Sequence, residues 1–349
     1  SFASRPSKQE PRHKTSMAAS TSSAPASASA EGPQLEFEGV HRTEGRFPVP
    51  DLEVDASEVD SRRSFFYQCW TPTEPSPASF ASRPVVILVH GLGGHSGHLS
   101  VVAEYFSRQL GMRVYAYDTL GHGRSPGRRG HADSWTELRT VLAHFLRFVL
   151  LVCEIDPQRQ LVLFGNSLGG VVCIEYMQRY ADATTADEAA AANVCALVAN
   201  APGLSMQGVG WMAKGAVRLL SVLTPRYQID VGLDSTRLTN DPLKQRENDL
   251  DPLVHSLATP ALFNDWWEIL HYVSNHADRI RVPFLMMQGA ADKIVVPDEN
   301  RHFFDKVVRT NDKAEFQLLQ GGEHESFNDK NRSEVVAMYG DFLQRHHII

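Results

Sequence analysis

The stretch LVLFGNSLGGVVCIEYMQRY, residues 161 to 180, decides how the rest of the chain is read. It opens on an apolar run, Leu161 to Phe164. It turns at Gly165-Asn166-Ser167-Leu168-Gly169, then continues with Val172, Ile174, Tyr176 and Met177 at helical spacing. An apolar strand, a tight turn with glycine at both ends of G-x-S-x-G, and a helix together form a nucleophile elbow. In that turn a serine hydroxyl is thrust out beyond the carboxyl edge of a parallel sheet. A side chain at Gly165 or Gly169 would clash where strand and helix approach each other.

Outward from this stretch, strands and helices alternate. Strands are predicted at Ser64 to Trp70, Pro84 to Val89, Met112 to Tyr117, Val194 to Ala199, Phe284 to Gln288 and Phe316 to Leu319. Helices are predicted at Leu99 to Leu110, Trp135 to Glu154, Asp298 to Val308 and Arg332 to Gln344. Continuous apolar runs such as VVILV (85–89) belong to strands buried on both faces. The expected fold is therefore α/β, a mostly parallel sheet covered by helices on both sides. Ligands in such sheets bind beyond the carboxyl ends of the strands, so chemistry is sought in the loops that follow them.

Each of those loops carries something. HGLGGHSGH, His90 to His98, supplies glycines for close backbone approach, and the amides of Leu92 and Leu168 are placed to hold a developing oxyanion. No Lys-Ser/Thr follows, which argues against a phosphate-binding loop. DTLGHGRSPG, Asp118 to Gly127, holds Asp118, His122 and Ser125; Asp118 is expected to orient backbone amides. GAADKIVVP, Gly289 to Pro297, presents Asp292, and GGEHES, Gly321 to Ser326, presents His324. Of 15 histidines, His324 is the one in a loop after a late strand that follows an Asp in the same position. The order Ser167, Asp292, His324 is that of a Ser-Asp-His triad: the imidazole takes the serine proton and the carboxylate fixes its tautomer. Asp298 is the rival acid, but behind Pro297 it reads as a helix N-cap. Glu323 and Glu325 flank His324 and are expected to tune it.

These motifs, in this order, resemble the monoglyceride lipase and lysophospholipase-like branch of the α/β-hydrolase superfamily, from about residue 60 to the end of the chain. LDSTRLTNDP through DPLV, Leu233 to Val254, is similar to the cap segment of that branch. Asn166 stands before the serine where many relatives carry His. The resemblance implies an α/β-hydrolase core at 34–202 and 281–349 with an inserted helical cap at 203–280. It implies an enzyme that cleaves esters of single-chain lipids with no metal and no organic cofactor. An acyltransferase or thioesterase, or a ligand-binding protein on the same scaffold, stays open. In the cap, Trp211 and Leu219 are candidates to line an acyl pocket or touch a lipid surface; the plainer reading packs this helix on the core and on Trp266 and Trp267.

Composition bounds the remainder. A net charge of −7 argues against nucleic acid as a partner. Cys69, Cys153, Cys173 and Cys195 form no C-x-x-C pair and read as buried free thiols, which suits a reducing compartment. No run reaches the roughly 18 apolar residues of a membrane span. The expected location is cytoplasmic or membrane-peripheral. Residues 1 to 33 are rich in Ser, Ala and Pro, with Arg5, Lys8, Arg12 and Lys14, and lack the apolar content to fold alone. They read as a disordered tail; the same composition fits an organellar transit peptide, and Met17 fits a start.

Overall fold

Residues 35–37, 39–50, 52, 63–73, 83–153, 159–181, 189–205 and 211–349 are described by the computed structural model; residues 1 to 33, read as a tail or targeting segment, lie outside them. In chain order the elements are β1 (Leu35–Phe37), β2 (Val40–Pro48), β3 (Ser64–Pro72), β4 (Val85–Val89), α1 (Ser100–Glu104), β5 (Val114–Tyr117), α2 (Trp135–Val152), β6 (Leu161–Asn166), α3 (Leu168–Arg179), α4 (Ala189–Ala192) and β7 (Val194–Asn200). Then come α5 (Trp211–Leu223), β8 (Ile229–Asp230), α6 (Ser235–Leu238), α7 (Pro242–Leu250), β9 (Leu257–Ala258) and α8 (Pro260–Asn275). The chain closes with β10 (Phe284–Gly289), α9 (Pro297–Val307), β11 (Ala314–Leu319) and α10 (Arg332–Arg345).

Nine of these strands form one sheet in the order β1-β2-β3-β5-β4-β6-β7-β10-β11. Pairings from β5 through β11 are parallel, and the edge β1, β2, β3 is antiparallel. Alternation along the central strands divides their side chains between two cores. Ile87, Leu163, Leu197 and Met286 face α2, α3 and α8 with Leu142, Phe145 and Val172. Val86, Leu88, Phe164 and Leu285 face the other way, onto Val102, Phe106, Tyr339 and Phe342. Each fully buried side chain of this kind contributes about 1.5–3 kcal/mol, which is why β4 can be apolar at every position and β6 from Leu161 to Phe164. Every expected strand and helix is present, with ends displaced by a few residues. The helix expected from Leu99 to Leu110 starts as a 3-10 turn, Ser96–Leu99, and ends in a π turn, Tyr105–Gln109.

Between β7 and β10 the chain leaves the sheet and lies across its carboxyl edge. Three backbone bonds hold it there: His255 N–H to the Gly93 carbonyl (3.1 Å), Thr259 N–H to that of Gly130 (3.1 Å), and Glu325 N–H to that of Leu238 (2.7 Å). Its last helix, α8, returns to the core, where Leu262, Trp266, Ile269 and Val273 are buried with α2 and α3. No helix among the described residues is long and apolar enough to cross a membrane. All four cysteines are free thiols, Cys69 and Cys173 buried and the other two partly so.

Candidate active site

Ser167 joins β6 to α3 with φ 50° and ψ −116°, a backbone conformation that L residues avoid. Strain of this kind persists only where the surroundings enforce it. Here Ser167 N–H donates to the Asn200 carbonyl at 3.0 Å, and the Ser167 carbonyl accepts from Val171 and Gly203. A Cβ on Gly165 would run into Gly169 and Gly170, and one on Gly169 into the carbonyls of Val89 and His90. The expected steric reason for both glycines therefore holds. Ser167 is 8% exposed and opens onto a cavity.

Asp292 and His324 come from the loops after β10 and β11 and meet: His324 Nδ1 lies 2.8 Å from Asp292 Oδ2. The loops can touch because residue 289 is glycine; a Cβ there would strike the carbonyls of Gly322 and Glu323. Asp292 is held on every side. Its Oδ1 accepts from the amides of Ile294 (2.8 Å) and Val295 (3.0 Å), and Oδ2 accepts from Gln288 Nε2 (2.9 Å). Gln288 in turn takes a bond from Asn300 Nδ2 at 2.7 Å. Burial opposes ionisation of Asp292, but His324 and the two amides hold its carboxyl below the usual range. Burial likewise opposes protonation of His324, and the Asp292 carboxylate overcomes it and raises the imidazole above its ordinary value. Both side chains are buried, and His324 lines the same cavity as Ser167. Asp298 lies in the first turn of α9. The N-cap there is Val296, with no side-chain hydrogen bond, so the capping role expected of Asp298 is not the one it has; it acts on the helix N-terminus by charge alone.

Leu92 lines the cavity onto which Ser167 opens, and Leu168 follows the serine directly. Leu168 is the first residue of α3, so its N–H has no partner within the helix. The Gly91–Leu92 peptide is set by His90, whose Nδ1 lies 2.8 Å from the Gly91 carbonyl while Nε2 accepts from Thr119 N–H at 3.0 Å. The second bond fixes the tautomer: Nε2 is bare, so Nδ1 carries the proton and donates. Burial pushes the His90 pKa down to about 4 and keeps it neutral. A Cβ on Gly91 would lie 3.0 Å from Ser167 Cβ, which places this peptide against the serine. Gly93, at φ 76°, lines the cavity and also makes room for the overlying segment, since the space its Cβ would need is filled by the His255 carbonyl. Asp118 does orient amides, accepting from Ser96 N–H (2.7 Å) and Arg124 N–H (2.8 Å). His122 bonds the Leu120 carbonyl and Ser125 accepts from Phe66 N–H, so both brace the loop.

Behind these side chains lies a set of polar groups of which the sequence reading names Glu325, which with Asp292 raises the His324 pKa, but not Asn200 or Asn328. Asn200, at the end of β7, donates to Asn166 Oδ1 (2.9 Å) and to the His324 carbonyl (3.1 Å), joining the serine turn to the histidine loop. Asn166 donates to Glu325 Oε1 (3.2 Å), whose other oxygen accepts from Asn328 (2.9 Å). Burial raises the Glu325 pKa. Glu323 instead pairs with Lys293 at 3.0 Å, facing away from the imidazole. Polar residues at strand ends are the sequence signal for such a network, but the bonds that join it to the histidine loop span 124 and 159 positions.

The cavity above Ser167 and His324 has a volume of about 320 Å³ and is largely apolar, with Val217, Leu233, Val254, Phe263, Trp266 and Trp267 on its walls. Of the two residues expected there from α5, Leu219 is not among them. Leu219 is 60% exposed on the outer face of the helix; at 100° per residue it points away from Val217, which does line the cavity. The Trp211 side chain lies outside the described residues. The plainer reading of α5 holds in part: Lys214 Nζ sits 5.7 Å from the Trp267 ring centre.

Known proteins resemble this chain along most of its length. A monoacylglycerol lipase of Mycolicibacterium smegmatis is 27% identical over 80% of this chain and 92% of its own. An abhydrolase domain-containing protein of Dictyostelium discoideum is 28% identical over 82% of this chain, which spans only 28% of that longer protein. The crystal structure of the Paleococcus ferrophilus monoacylglycerol lipase superposes with a TM-score of 0.65 at 28% identity, covering 76% of this chain and 96% of that one. The family model for serine aminopeptidase S33 matches residues 81–331, and the chain belongs to that family of α/β-hydrolases.

Proposed function

We propose that this protein hydrolyses carboxylic esters of single-chain lipids, of the monoacylglycerol or lysophospholipid kind, with Ser167 as nucleophile, His324 as general base and Asp292 as the group that orients and charges the imidazole. The chain is a serine ester hydrolase by fold and by its likeness to lipases; its substrate and the roles of its residues are the proposal. One observation carries it. A strained serine and an Asp-paired histidine open together on an apolar cavity of a size and lining that suit an acyl chain. His324 takes the Ser167 proton as the oxygen attacks the ester carbonyl. The amides of Leu92 and Leu168 receive the negative charge. The protonated imidazole then gives its proton to the leaving alcohol, and water repeats the sequence on the acyl-enzyme.

The family's name includes an aminopeptidase, which must hold a substrate ammonium. Glu325 is the one acidic side chain among the described residues lining the cavity, burial raises its pKa, and Arg237 lines the same space. That balance favours a neutral ester over a free amine. The segment from α5 to β9 acts as the cap, and Leu219, Val222, Leu223 and Tyr227, each at least 60% exposed, form its contact with a lipid surface.

Purified protein given monoacylglycerols, lysophospholipids, p-nitrophenyl esters and aminoacyl amides tests the reading. Turnover of the lipid esters that is absent from Ser167→Ala supports it; cleavage of the amides alone would replace it with the peptidase.

A further inference from the structure

A second group of chemically competent side chains lies beside the oxyanion loop, in no role described above. His95 is the N-cap of the 3-10 turn Ser96–Leu99 and His98 is its third residue. At three residues per turn, positions three apart share a face, and the two rings sit with centroids 4.6 Å apart. Asp251, the C-cap of α7, approaches from the overlying segment and brings Oδ2 to 2.9 Å from His95 Nε2. One ring nitrogen from each histidine and one Asp251 oxygen all lie within 4.8 Å of one another.

The donor atoms are suited to a cation. His98 makes no hydrogen bond through either nitrogen among the described residues, so its ring nitrogen is open to a ligand. Asp251 accepts the Leu253 N–H at Oδ1, 2.8 Å away, and turns Oδ2 toward the two histidines. The three open on a polar pocket of about 220 Å³, with room for a water. Lys244, the cation in its wall, is paired with Glu247 at 2.7 Å.

We propose that His95, His98 and Asp251 bind a divalent transition-metal ion of the zinc class, which ties the loop after β4 to the segment over the cavity. Two imidazoles and a carboxylate suit zinc, whose bonds of about 2.0–2.2 Å set tetrahedral ligand atoms about 3.4 Å apart. Small side-chain rotations bring the three atoms to that spacing, and water completes the set. Gly97 N–H donates to His95 Nδ1 at 3.1 Å, so without metal the His95 proton sits on Nε2, toward Asp251. Binding moves that proton to Nδ1 and gives up the Gly97 bond. One neutral hydrogen bond and the His95–Asp251 bond are exchanged for three metal–ligand bonds, and no proton is released.

Calorimetric titration of chelator-treated full chain with zinc chloride tests this. The expected result is one equivalent bound, with affinity lowered at least about tenfold in His98→Gln and in Asp251→Asn, whose folding is checked by thermal unfolding without metal. If one variant does not fold, the other decides. No stoichiometric uptake by the native chain would leave only a His95–Asp251 hydrogen bond, and uptake unchanged in a folded variant would place the metal elsewhere; either overturns the site.

Discussion

His324 Nδ1 and Asp292 Oδ2 lie 2.8 Å apart, both buried, and their loops meet across a glycine. The carboxylate does two things to the imidazole: it fixes the proton on Nδ1 and raises the pKa against the opposing effect of burial. A protonated His324 cannot accept the serine proton. The kcat/KM profile of the native enzyme is therefore expected to fall as pH drops through the raised His324 pKa. In Asp292→Asn the raising charge is gone and burial remains, so the acid limb moves to lower pH while kcat falls by about 10⁴-fold. A pH-rate series on a soluble ester checks both. An acid limb that stays in place would mean that another group controls it.

The same two loops give a steric prediction. Gly289→Ala puts a methyl group into the carbonyls of Gly322 and Glu323. The His324 loop must move, and since about 1 Å of misplacement costs on the order of 100-fold, activity should fall at least that far. Activity close to native would show that the loops have more slack than their contact indicates.

Strain at Ser167 separates two variants that are equally inactive. Ser167→Ala and Ser167→Gly both lose the nucleophile, with an expected fall of at least about 10⁴-fold and no labelling by a fluorophosphonate probe. Only glycine accepts φ 50°, ψ −116° without cost. Strain of this kind is worth about 1–3 kcal/mol, against about 0.4–1 kcal/mol for the freer unfolded chain of the glycine variant. Chemical denaturation should find Ser167→Gly the more stable by about 1 kcal/mol. The reverse order would place no strain in the turn.

In the proposed mechanism His90 acts on the Leu92 amide through the Gly91 carbonyl. Removing its ring in His90→Ala frees that peptide to rotate. The expected loss is about 10²–10³-fold in kcat, as for removal of one oxyanion donor, with KM little changed. A raised KM at unchanged kcat would assign His90 to substrate binding.

How much of this could be read from the chain follows from the range of each interaction. β4 and the Leu161–Phe164 run of β6 are legible because burial on both faces demands an unbroken apolar run. The serine turn is legible because two glycines, an intervening serine and a change of period fall within ten residues. β2 was not, because VHRTEGRFP carries charges on a strand near the sheet's antiparallel edge, where half-exposure permits them. The Asn200–Asn166–Glu325 network was not legible for a different reason. Asn166 and Glu325 are 159 positions apart, and nothing local in either segment names the other. For α5, helix formation is evident, but which face turns inward depends on α8, so the choice of Leu219 as a lining residue is not one that local sequence decides.

That choice can be tested directly. Val217 lines the cavity and Leu219 is 60% exposed two positions further on. Enlarging the inward residue in Val217→Phe fills space that a long acyl chain would occupy and leaves Ser167, His324 and the oxyanion amides untouched. A short acetate ester needs only those groups. The ratio of kcat/KM for long over short esters should therefore fall by about 10- to 200-fold, the range set by one or a few methylenes in an apolar pocket. Leu219→Ala should leave the ratio unchanged on dispersed monomeric esters, because no wall of the cavity is altered. On vesicle-borne substrate, where the proposed lipid contact of the outer face of α5 comes into play, the same Leu219 variant should lose activity through a raised apparent KM. A chain-length shift in Leu219→Ala on monomeric ester, with none in Val217→Phe, would mean that the helix turns its other face to the acyl chain.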